Sequence, residues 1–226
     1  EPFNEGRNND QDEALIGLET FVLAAATYLL ERPDVLEWIE QKWGFDLDTV
    51  IGYRIGFMPT PLLPVIAADA AKNMQRYRSA GLGWYAEGKF HTRFEGRITF
   101  PYLEHGRPVY LIGRATPWTP KIPIEGRAPV SPPKYHKLSV HSPTRTYVSP
   151  SITNEHLFNE PVLKTCGAEV GVLEGIADGV AFSHIGVDVV SPVTISFNGP
   201  DLERFVAACH ANGVKVVWIL FDNELS

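Results

Sequence analysis

Four carboxylates in the last quarter of the sequence have the types and spacing of a metal site. Glu174 and Asp178 are one helical turn apart, and Asp222 and Glu224 are two residues apart, so in an extended chain the second pair points the same way. Clustered carboxylates repel one another unless a hard cation lies between them, and Mg²⁺ and Mn²⁺ favour such oxygen ligands. Two such ions can hold the attacking and leaving oxygens of a phosphoryl transfer. The alternative is that each acid is a helix cap or a solvated turn residue.

The apolar pattern around these acids predicts an α/β arrangement. Strands and helices alternate there in the order 170–173, 177–184, 187–190, 201–211 and 215–221. Such an order implies a parallel sheet, and sites in these sheets lie at the carboxyl ends of the strands. Glu174 follows the first predicted strand, whereas Asp222 and Glu224 follow the third. We therefore expect the acids to meet at one edge of the sheet.

The charge of the chain is unevenly distributed. Its net charge is −7, yet the segment 89–145 holds ten Lys and Arg against three acids, which gives +7 there and −14 in the remainder. Four of the seven histidines also fall in this basic segment. A basic patch on an acidic body suits a partner that carries phosphates. The alternative is a solvated charged surface that happens to cluster.

The part of the chain before residue 166 predicts a mixed helical and antiparallel subdomain. The predicted helices lie at 13–30, 34–43 and 61–79, and the predicted strands at 53–57, 90–94, 97–102 and 109–114. Residues 1–12 are polar and acidic, which is typical of a linker. The fold class is therefore α+β followed by α/β, with a linker at 1–12, one domain at 13–165 and a second one at 166–226.

Residues 117–133 are rich in proline and predict a long surface loop, a type of segment that is often functional. Trp118 in this loop is a candidate for stacking on a nucleic-acid base. The tryptophans Trp38, Trp43 and Trp84 are expected in the core. His136 and His141 are five residues apart, which makes a poor metal pair without a third ligand.

Composition also argues against several classes of protein. No apolar run is expected to reach the ~18–20 residues of a membrane span. Two cysteines, Cys166 and Cys209, are too few for a disulfide framework or a Cys-rich zinc site, so a reducing, cytoplasmic setting is expected. The sequence has neither a Gly-x-Ser-x-Gly elbow nor a phosphate-binding Gly-x-x-x-x-Gly-Lys-Ser/Thr loop.

Six sequence elements, the first made of two segments, resemble bacterial-type, DnaG-like DNA primases in their order along residues 20–224. Each segment is short, and it is their common order that carries the resemblance. They are Tyr28-Leu29-Leu30-Glu31-Arg32 with Ile51-Gly52-Tyr53-Arg54-Ile55-Gly56-Phe57; Arg93-Phe94-Glu95-Gly96-Arg97-Ile98-Thr99-Phe100-Pro101; Ile112-Gly113-Arg114; Pro133-Lys134-Tyr135; Val172-Leu173-Glu174-Gly175-Ile176-Ala177-Asp178-Gly179; and Phe221-Asp222-Asn223-Glu224. The last two resemble the two acidic elements of Toprim domains.

The resemblance implies a primase core that includes the first part of a Toprim parallel sheet. Glu174 and Asp222 would then be catalytic, with Glu174 the central acid that acts as metal ligand or general base. Asp178, Asp222 and Glu224 would hold Mg²⁺ or Mn²⁺ together with Glu174. A groove for template and nucleotide phosphates would be lined by Arg97, Arg114, Lys134, Tyr135 and Lys137. This implication agrees with the basic segment found from charge alone.

Some positions depart from the family pattern. Glu224 stands where the family has Asp, so metal geometry or metal choice is expected to differ. Ile112 replaces the first glycine of Gly-Gly-Arg. The family's zinc ribbon and the remainder of a Toprim sheet are not in this sequence, which predicts a piece of a longer primase that contacts the replicative helicase through other regions.

Three functions follow from these observations. The first is a DNA primase that copies single-stranded DNA into short RNA from ribonucleoside triphosphates. The second is a Toprim-type, metal-dependent DNA nuclease. The third is a nucleic-acid-binding remnant of a primase without catalysis. About 165 residues precede the predicted Toprim element, which is unlike type IA topoisomerases, and the order of the motifs favours the primase.

Overall fold

A computed structural model of the chain describes residues 5–193, 197 and 199–221, and the side chains of all of these except 5–12 and 199–201. The chain divides into two compact units. The first consists of Glu1–Trp38 and Val50–Thr153, and the second of Ile39–Thr49 and Asn154–Ser226. The second unit begins before the boundary at 165/166 that the sequence predicts, and it includes a segment from the amino-terminal part of the chain.

The first unit has helices packed beside a four-stranded antiparallel sheet. Its helices are α1 (Glu5–Leu30), α2 (Pro33–Trp43, which continues into the second unit), α3 (Leu47–Gly52, shared in the same way), α4 (Pro64–Lys72) and α5 (Met74–Ser79). Its strands are β1 (Gly56–Met58), β2 (Trp84–Ala86), β3 (Lys89–His91), β4 (Arg97–Glu104), β5 (Arg107–Ala115), β6 (Ile122–Ile124), β7 (Arg127–Val130) and β8 (Tyr135–Lys137). The main sheet has the order β1-β4-β5-β8, and β2-β3 and β6-β7 form two separate hairpins.

The core of the first unit forms where α1 lies against the sheet. The buried face of this helix repeats at helical spacing and consists of Ala14, Leu18, Phe21, Val22, Ala25 and Leu29. α1 packs against β1, β5 and α5. Gly56 on β1 allows a close approach, because a Cβ there would lie 2.7 Å from backbone atoms of Ala25 and Ala26.

α1 also corrects two expectations from composition. The helix begins at Glu5, so it includes residues that composition assigned to a linker. Its segment Glu13–Leu30 is long and apolar enough, by length and composition alone, to cross a membrane, although no such run was expected. Within this unit the buried face of the helix packs against the sheet, as in a core helix.

The second unit contains a four-stranded mixed sheet with three parallel strands. Its elements are β9 (Leu157–Phe158), a 3-10 helix (Glu160–Lys164), β10 (Glu169–Leu173), α6 (Ile176–His184), β11 (Val189–Pro192), α7 (Gly199–Ala211) and β12 (Val216–Leu220). The order is β12-β10-β11-β9; β10 pairs in parallel with β11 and β12, and β9 pairs antiparallel with β11. The strand–helix–strand–helix–strand pattern predicted these parallel pairs.

Side chains between the sheet and its helices form the core of the second unit. This cluster consists of Leu157, Leu163, Val170, Val172, Val190, Phe205, Cys209 and Val214. Cys209 is buried and Cys166 packs against the same cluster, and both are free thiols. The early segment joins this unit through Thr49, whose Oγ1 lies 2.6 Å from Nδ1 of His184 on α6.

Candidate functional site

Glu174 and Asp178 lie at the carboxyl end of β10 in the second unit. Glu174 is half-buried and follows the last strand residue, Leu173, and Asp178 is exposed in the first turn of α6. The intervening Gly175 is extended (φ −124°, ψ 143°), so the chain turns from strand to helix between the two acids. A negative charge in the first turn of a helix is favourable, because the helix dipole is positive there.

The register of the parallel strands extends this arrangement to β12. Leu173 at the end of β10 pairs with Leu220 at the end of β12, so both strands leave the sheet at the same edge. Asp222 and Glu224 follow directly in sequence, but they lie outside the described residues. Among the residues that are described, no three His, Cys, Asp or Glu side chains come together as a metal site. The four-carboxylate site therefore stays a prediction.

Gly179 fixes the position of α6 against the sheet. A Cβ at this residue would lie 2.8 Å from Cδ1 of Phe158 on β9, so the helix can approach this closely only with glycine at this position. Gly179 is also the neighbour of Asp178 in the Glu-Gly-x-x-Asp-Gly pattern. The pattern thus combines an acid with the small residue that determines where the first turn of the helix lies.

Three of the predicted groove residues form a cluster at one end of β5 and β8 in the first unit, which we call the basic cluster. It consists of Arg114, Lys134 and Tyr135. The Cζ of Arg114 lies 4.7 Å from the centroid of the Tyr135 ring, and the Nζ of Lys134 lies 5.6 Å from the same centroid. Two cations at one aromatic ring hold their charges close together, with cation–π attraction offsetting part of their repulsion.

Strand pairing places a further predicted residue on the same face as the cluster. Arg114 pairs with Tyr135, and Ile112 pairs with Lys137, so Arg114, Tyr135 and Lys137 share one face of the sheet. Residues between them face the opposite side. The predicted groove residues on β5 and β8 therefore lie on one face of the sheet, where Lys137 is exposed and Arg114 and Tyr135 are half-buried.

Arg97 differs from the other predicted groove residues, because it is buried on the opposite face. Its relative exposure is 3%, and burial lowers its pKa. Its Nε donates a hydrogen bond to the carbonyl of Arg93 at 2.8 Å, and its Nη1 donates to those of Pro133 at 3.0 Å and Gly113 at 3.5 Å. The expectation that Arg97 lines an open groove is corrected on this point, since its guanidinium binds the chain's own backbone.

Gly113 makes room for this arginine. A Cβ at Gly113 would lie 2.8 Å from Cδ1 of Phe94 and 3.0 Å from Cδ of Arg97. The glycine that the Ile112-Gly113-Arg114 segment shares with the family pattern is thus required by packing. Arg114, the next residue, faces the other side of the strand and is available to the basic cluster.

The structure contradicts the core expectation for one tryptophan, Trp84, and leaves base stacking by the half-buried Trp118 a prediction. Trp118 lies in an aromatic cluster, with ring centroids 6.1 Å from Trp38 and 5.7 Å from Phe57. Trp84, which was expected in the core, is 46% exposed on the β2-β3 hairpin. The exposure of Trp84 has a signal in the sequence, because Glu87-Gly88 forms the hairpin turn. Tyr85 then pairs with Phe90 on one face of the hairpin, and alternation places Trp84 on the other face.

The solved structures that this chain resembles are catalytic domains of bacterial primases. The Aquifex aeolicus primase (zinc-binding and RNA polymerase domains) matches with a TM-score of 0.70, 19% identity, and coverage of 94% of this chain and 48% of that chain. The DnaG primase catalytic domain bound to ssDNA matches with a TM-score of 0.67 and 19% identity, over 98% of this chain and 64% of that one. The chain has the fold of a bacterial primase catalytic core.

A third structure agrees with this fold. The RNA polymerase domain of Mycobacterium tuberculosis primase DnaG, in complex with double-stranded DNA, matches with a TM-score of 0.71 and 15% identity, over 95% of this chain and 65% of that chain. The chain thus spans about half to two thirds of the length of these primase structures. No protein-family model matches the sequence. No curated protein matches it significantly either.

Proposed function

We propose that this chain is part of the catalytic core of a DNA primase, which synthesises short RNA primers on single-stranded DNA. The observation that carries this proposal is the primase-core fold, which extends over 94–98% of the chain in the A. aeolicus and ssDNA-bound structures. The DNA in two of the similar structures supports a nucleic-acid partner for this chain as well. The other partners in the proposal are ribonucleoside triphosphates and a replicative helicase, which would be bound through regions outside this chain. The proposed location of the protein is the cytoplasm.

The second unit is proposed as the beginning of a Toprim-like sheet. The parallel pairing of β10 with β11 and β12 supports this, as does the position of Glu174 at the end of the central strand. Glu174 and Asp178, together with Asp222 and Glu224, would hold Mg²⁺ or Mn²⁺, because carboxylate oxygens are the ligands these ions prefer. The bound ions would stabilise the charge that develops on the reacting phosphate.

Within this proposal, the protein's own residues bind and orient the substrates. Glu174 would accept a proton or hold an ion at the strand end, and Asp178 would contribute its carboxylate from the first turn of α6. The basic cluster, with Lys137, binds template and triphosphate phosphates. Arginine can bind a phosphate through two hydrogen bonds at once, whereas lysine provides a compact charge.

The test is template-dependent incorporation of labelled ribonucleotides on single-stranded DNA, in Mg²⁺ or Mn²⁺, by the full-length protein that contains this chain. Glu174→Gln removes the central carboxylate and keeps its size. Glu203→Gln, at an exposed position of α7, is the matched control. Short RNA products that Glu174→Gln abolishes and Glu203→Gln retains would support the proposal.

Two other results would replace the proposed primase function with a different one. Metal-dependent cutting of the DNA without RNA products would identify a nuclease that uses the same carboxylates. DNA binding without either activity would leave a binding module.

A further inference from the structure

The β6-β7 hairpin of the first unit is surrounded by solvent. Every residue from 120 to 131 is exposed, and this range includes both strands and the turn between them. Ile122 is 44% exposed, Ile124 40% and Val130 44%, although side chains of these types are usually buried. Several branched apolar side chains exposed together on one short hairpin indicate a surface that a binding partner covers.

The three apolar side chains lie on one face of the hairpin. Ile122 and Ile124 are two residues apart on β6, and Ile122 pairs with Val130 on β7. Ile124 pairs with Arg127, and a register shift between the two pairs keeps Arg127 and Val130 opposite residues of the same face. The face therefore has an apolar centre and a cation at the end next to the turn.

Prolines make the edges of the hairpin unsuitable for pairing with a further strand. Pro123 stands between the two isoleucines and Pro129 precedes Val130, and neither has an amide hydrogen to donate. Because edge pairing is disfavoured, the apolar face is the surface that the hairpin offers to a partner.

Hydrogen bonds hold the base of the hairpin in a defined position. The carbonyl of Gly96, the residue before β4, accepts from Oγ1 of Thr116 at 2.5 Å and from Oγ1 of Thr119 at 2.6 Å. On the other side of the hairpin, the carbonyl of Pro133 accepts from Nη1 of Arg97 at 3.0 Å. A fixed base reduces the entropy that is lost when the hairpin binds a partner.

The stretch around the hairpin is positively charged. Residues 114–137 contain five Lys and Arg against one acid, Glu125, which gives +4. Arg114 and Lys134 of the basic cluster precede and follow the segment that carries the hairpin. A partner should therefore combine dense negative charge with a surface that an apolar face can cover, and a nucleic-acid duplex has both.

The groove that this face fits depends on the form of the duplex. A single strand has no groove, and the minor groove of B-form DNA is only ~6 Å wide, which is too narrow for a two-stranded ribbon with its side chains. A hybrid of RNA and DNA has A-form geometry, with a wide and shallow minor groove. Such a groove can receive the apolar face, while Arg127 at its border reaches a phosphate.

We propose that the β6-β7 hairpin is an arm that places Ile122, Ile124 and Val130 in the minor groove of an RNA–DNA hybrid. This hybrid is the product of the proposed primase function, on which the inference rests. The arm holds the new primer on its template, a step that follows the binding of template phosphates by the basic cluster.

Fluorescence anisotropy with the full-length protein that contains this chain tests the arm. The three labelled probes are a short RNA–DNA hybrid, the DNA duplex of the same sequence, and its single strand. Ile122→Ser combined with Ile124→Ser should weaken hybrid binding by about tenfold or more, the loss expected if the exposed part of both side chains is buried in the complex. Binding of the single strand should stay within about twofold, and the DNA duplex should lose less than the hybrid.

The matched control is Ile16→Ser combined with Leu23→Ser on α1. This pair removes two other apolar side chains of the first unit that are 42% and 46% exposed, and it should leave the binding of all three probes unchanged. Far-UV circular dichroism of every variant should match that of the unsubstituted protein.

Two charge substitutions test the arm independently of its apolar face. Arg127→Ala should weaken hybrid binding by about fivefold, the loss expected for one phosphate contact. Glu125→Gln should strengthen it by about twofold at low salt, because the carboxylate next to the face repels the phosphates. A hairpin that served only to fold the unit would not change hybrid binding in opposite directions in these two variants.

Hybrid binding that stays within about twofold in all of the hairpin variants would overturn the proposal and leave the apolar face to a protein partner. Equal weakening of the hybrid and the DNA duplex would overturn it as well, because the shape of the groove would then play no part.

The proposed function is tested separately by primer synthesis. If the hairpin variants bound the hybrid normally and still made RNA primers, the arm would be wrong and the primase would stand. If the unsubstituted protein bound no probe and made no primers, both proposals would be wrong.

Discussion

The Nη1 of Arg97 lies 3.0 Å from the carbonyl oxygen of Pro133, the residue that precedes Lys134. This hydrogen bond connects the beginning of β4 to the entry of β8, which are distant in sequence. The amide of Ala115 donates to the carbonyl of Lys134 at 2.9 Å and holds the next peptide. A buried arginine thus fixes the backbone from which Lys134 and Tyr135 reach the basic cluster.

Replacing Arg97 by lysine should destabilise the first unit. An ammonium group cannot serve three backbone carbonyls as the planar guanidinium does, and a buried carbonyl that loses a charged donor is costly. We expect Arg97→Lys to lower the free energy of unfolding by about 2 kcal/mol or more. Urea denaturation followed by circular dichroism measures the change.

The control for Arg97→Lys is Arg127→Lys, at an exposed position of β7, which should change stability little. The opposite result, unchanged stability of Arg97→Lys with weakened DNA binding, would show that Arg97 contacts nucleic acid directly.

Neutralising one charge of the basic cluster should reduce the salt dependence of DNA binding. If Lys134 contacts a phosphate, Lys134→Ala should make the slope of log K against log[salt] about 0.7 less steep for single-stranded DNA. Fluorescence anisotropy titrations at several salt concentrations provide this slope. Lys121→Ala removes an exposed lysine of the same segment and should leave the slope unchanged; equal slopes for both variants would exclude the contact.

Tyr77 and Asp69 predict a pH dependence of stability. The hydroxyl of buried Tyr77 donates to Asp69 Oδ2 at 2.7 Å, and this bond, aided by Asn73 and by the charge of Arg76, lowers the pKa of Asp69. A carboxyl whose pKa is lower in the folded state adds stability above its unfolded pKa of ~3.9, and loses it as the pH falls below that value.

Tyr77→Phe should therefore cost about 1 kcal/mol at pH 7 and less at pH 3, because without the hydroxyl the pKa of Asp69 is lowered less and the variant loses less stability on acidification. Urea midpoints at the two pH values measure the difference. A cost that is the same at both would mean that the hydroxyl acts without the charge of Asp69.

His136 should destabilise the fold as the solution becomes mildly acidic. Burial and the nearby Arg97 and Arg93 lower its pKa to about 4, whereas in the unfolded chain it is ~6.5. Below pH ~6.5 the unfolded state binds the proton first, so stability should fall by roughly 1 kcal/mol per pH unit down to about pH 4.

His136→Gln removes the titrating group, so its unfolding free energy should be less steep between pH 6.5 and 5 than that of the unsubstituted chain. The exposed His105→Gln, in the β4-β5 turn, is the control and should keep the original slope. Equal slopes for all three proteins would show that His136 takes up its proton without strain.

The sequence predicts the second unit best, because its signals are local and repeated. The apolar run 216–220 and the helical spacing of 177–184 and 201–211 each specify one element, and a helix between successive strands favours the parallel order. Breaks that depend on single residues were harder to predict. Asn73 divides the predicted helix 61–79 into α4 and α5, and a short hairpin forms within the proline-rich stretch.

The residues of the candidate site also differ in how well the sequence predicts their positions. The position of Glu174 at a strand end could be predicted, because the local apolar pattern shows where the strand ends. The burial of Arg97 depends on carbonyls at Gly113 and Pro133, which are 16 and 36 residues away, and no pattern around Arg97 contains that information. The exposure of Trp84, in contrast, could have been predicted from the alternation of residues across the Glu87-Gly88 turn.

The exposed edge strand β12 affects the tendency of the chain to aggregate. Its residues Val216 to Leu220, and Phe221 after them, are 38–70% exposed, with neither charge nor proline among them. Segments of this composition and length are those that form steric zippers in amyloid, and most proteins expose them only on unfolding. In a preparation of this 226-residue chain, the solubility should therefore depend on these six residues, so that a single lysine at Ile219 should raise it.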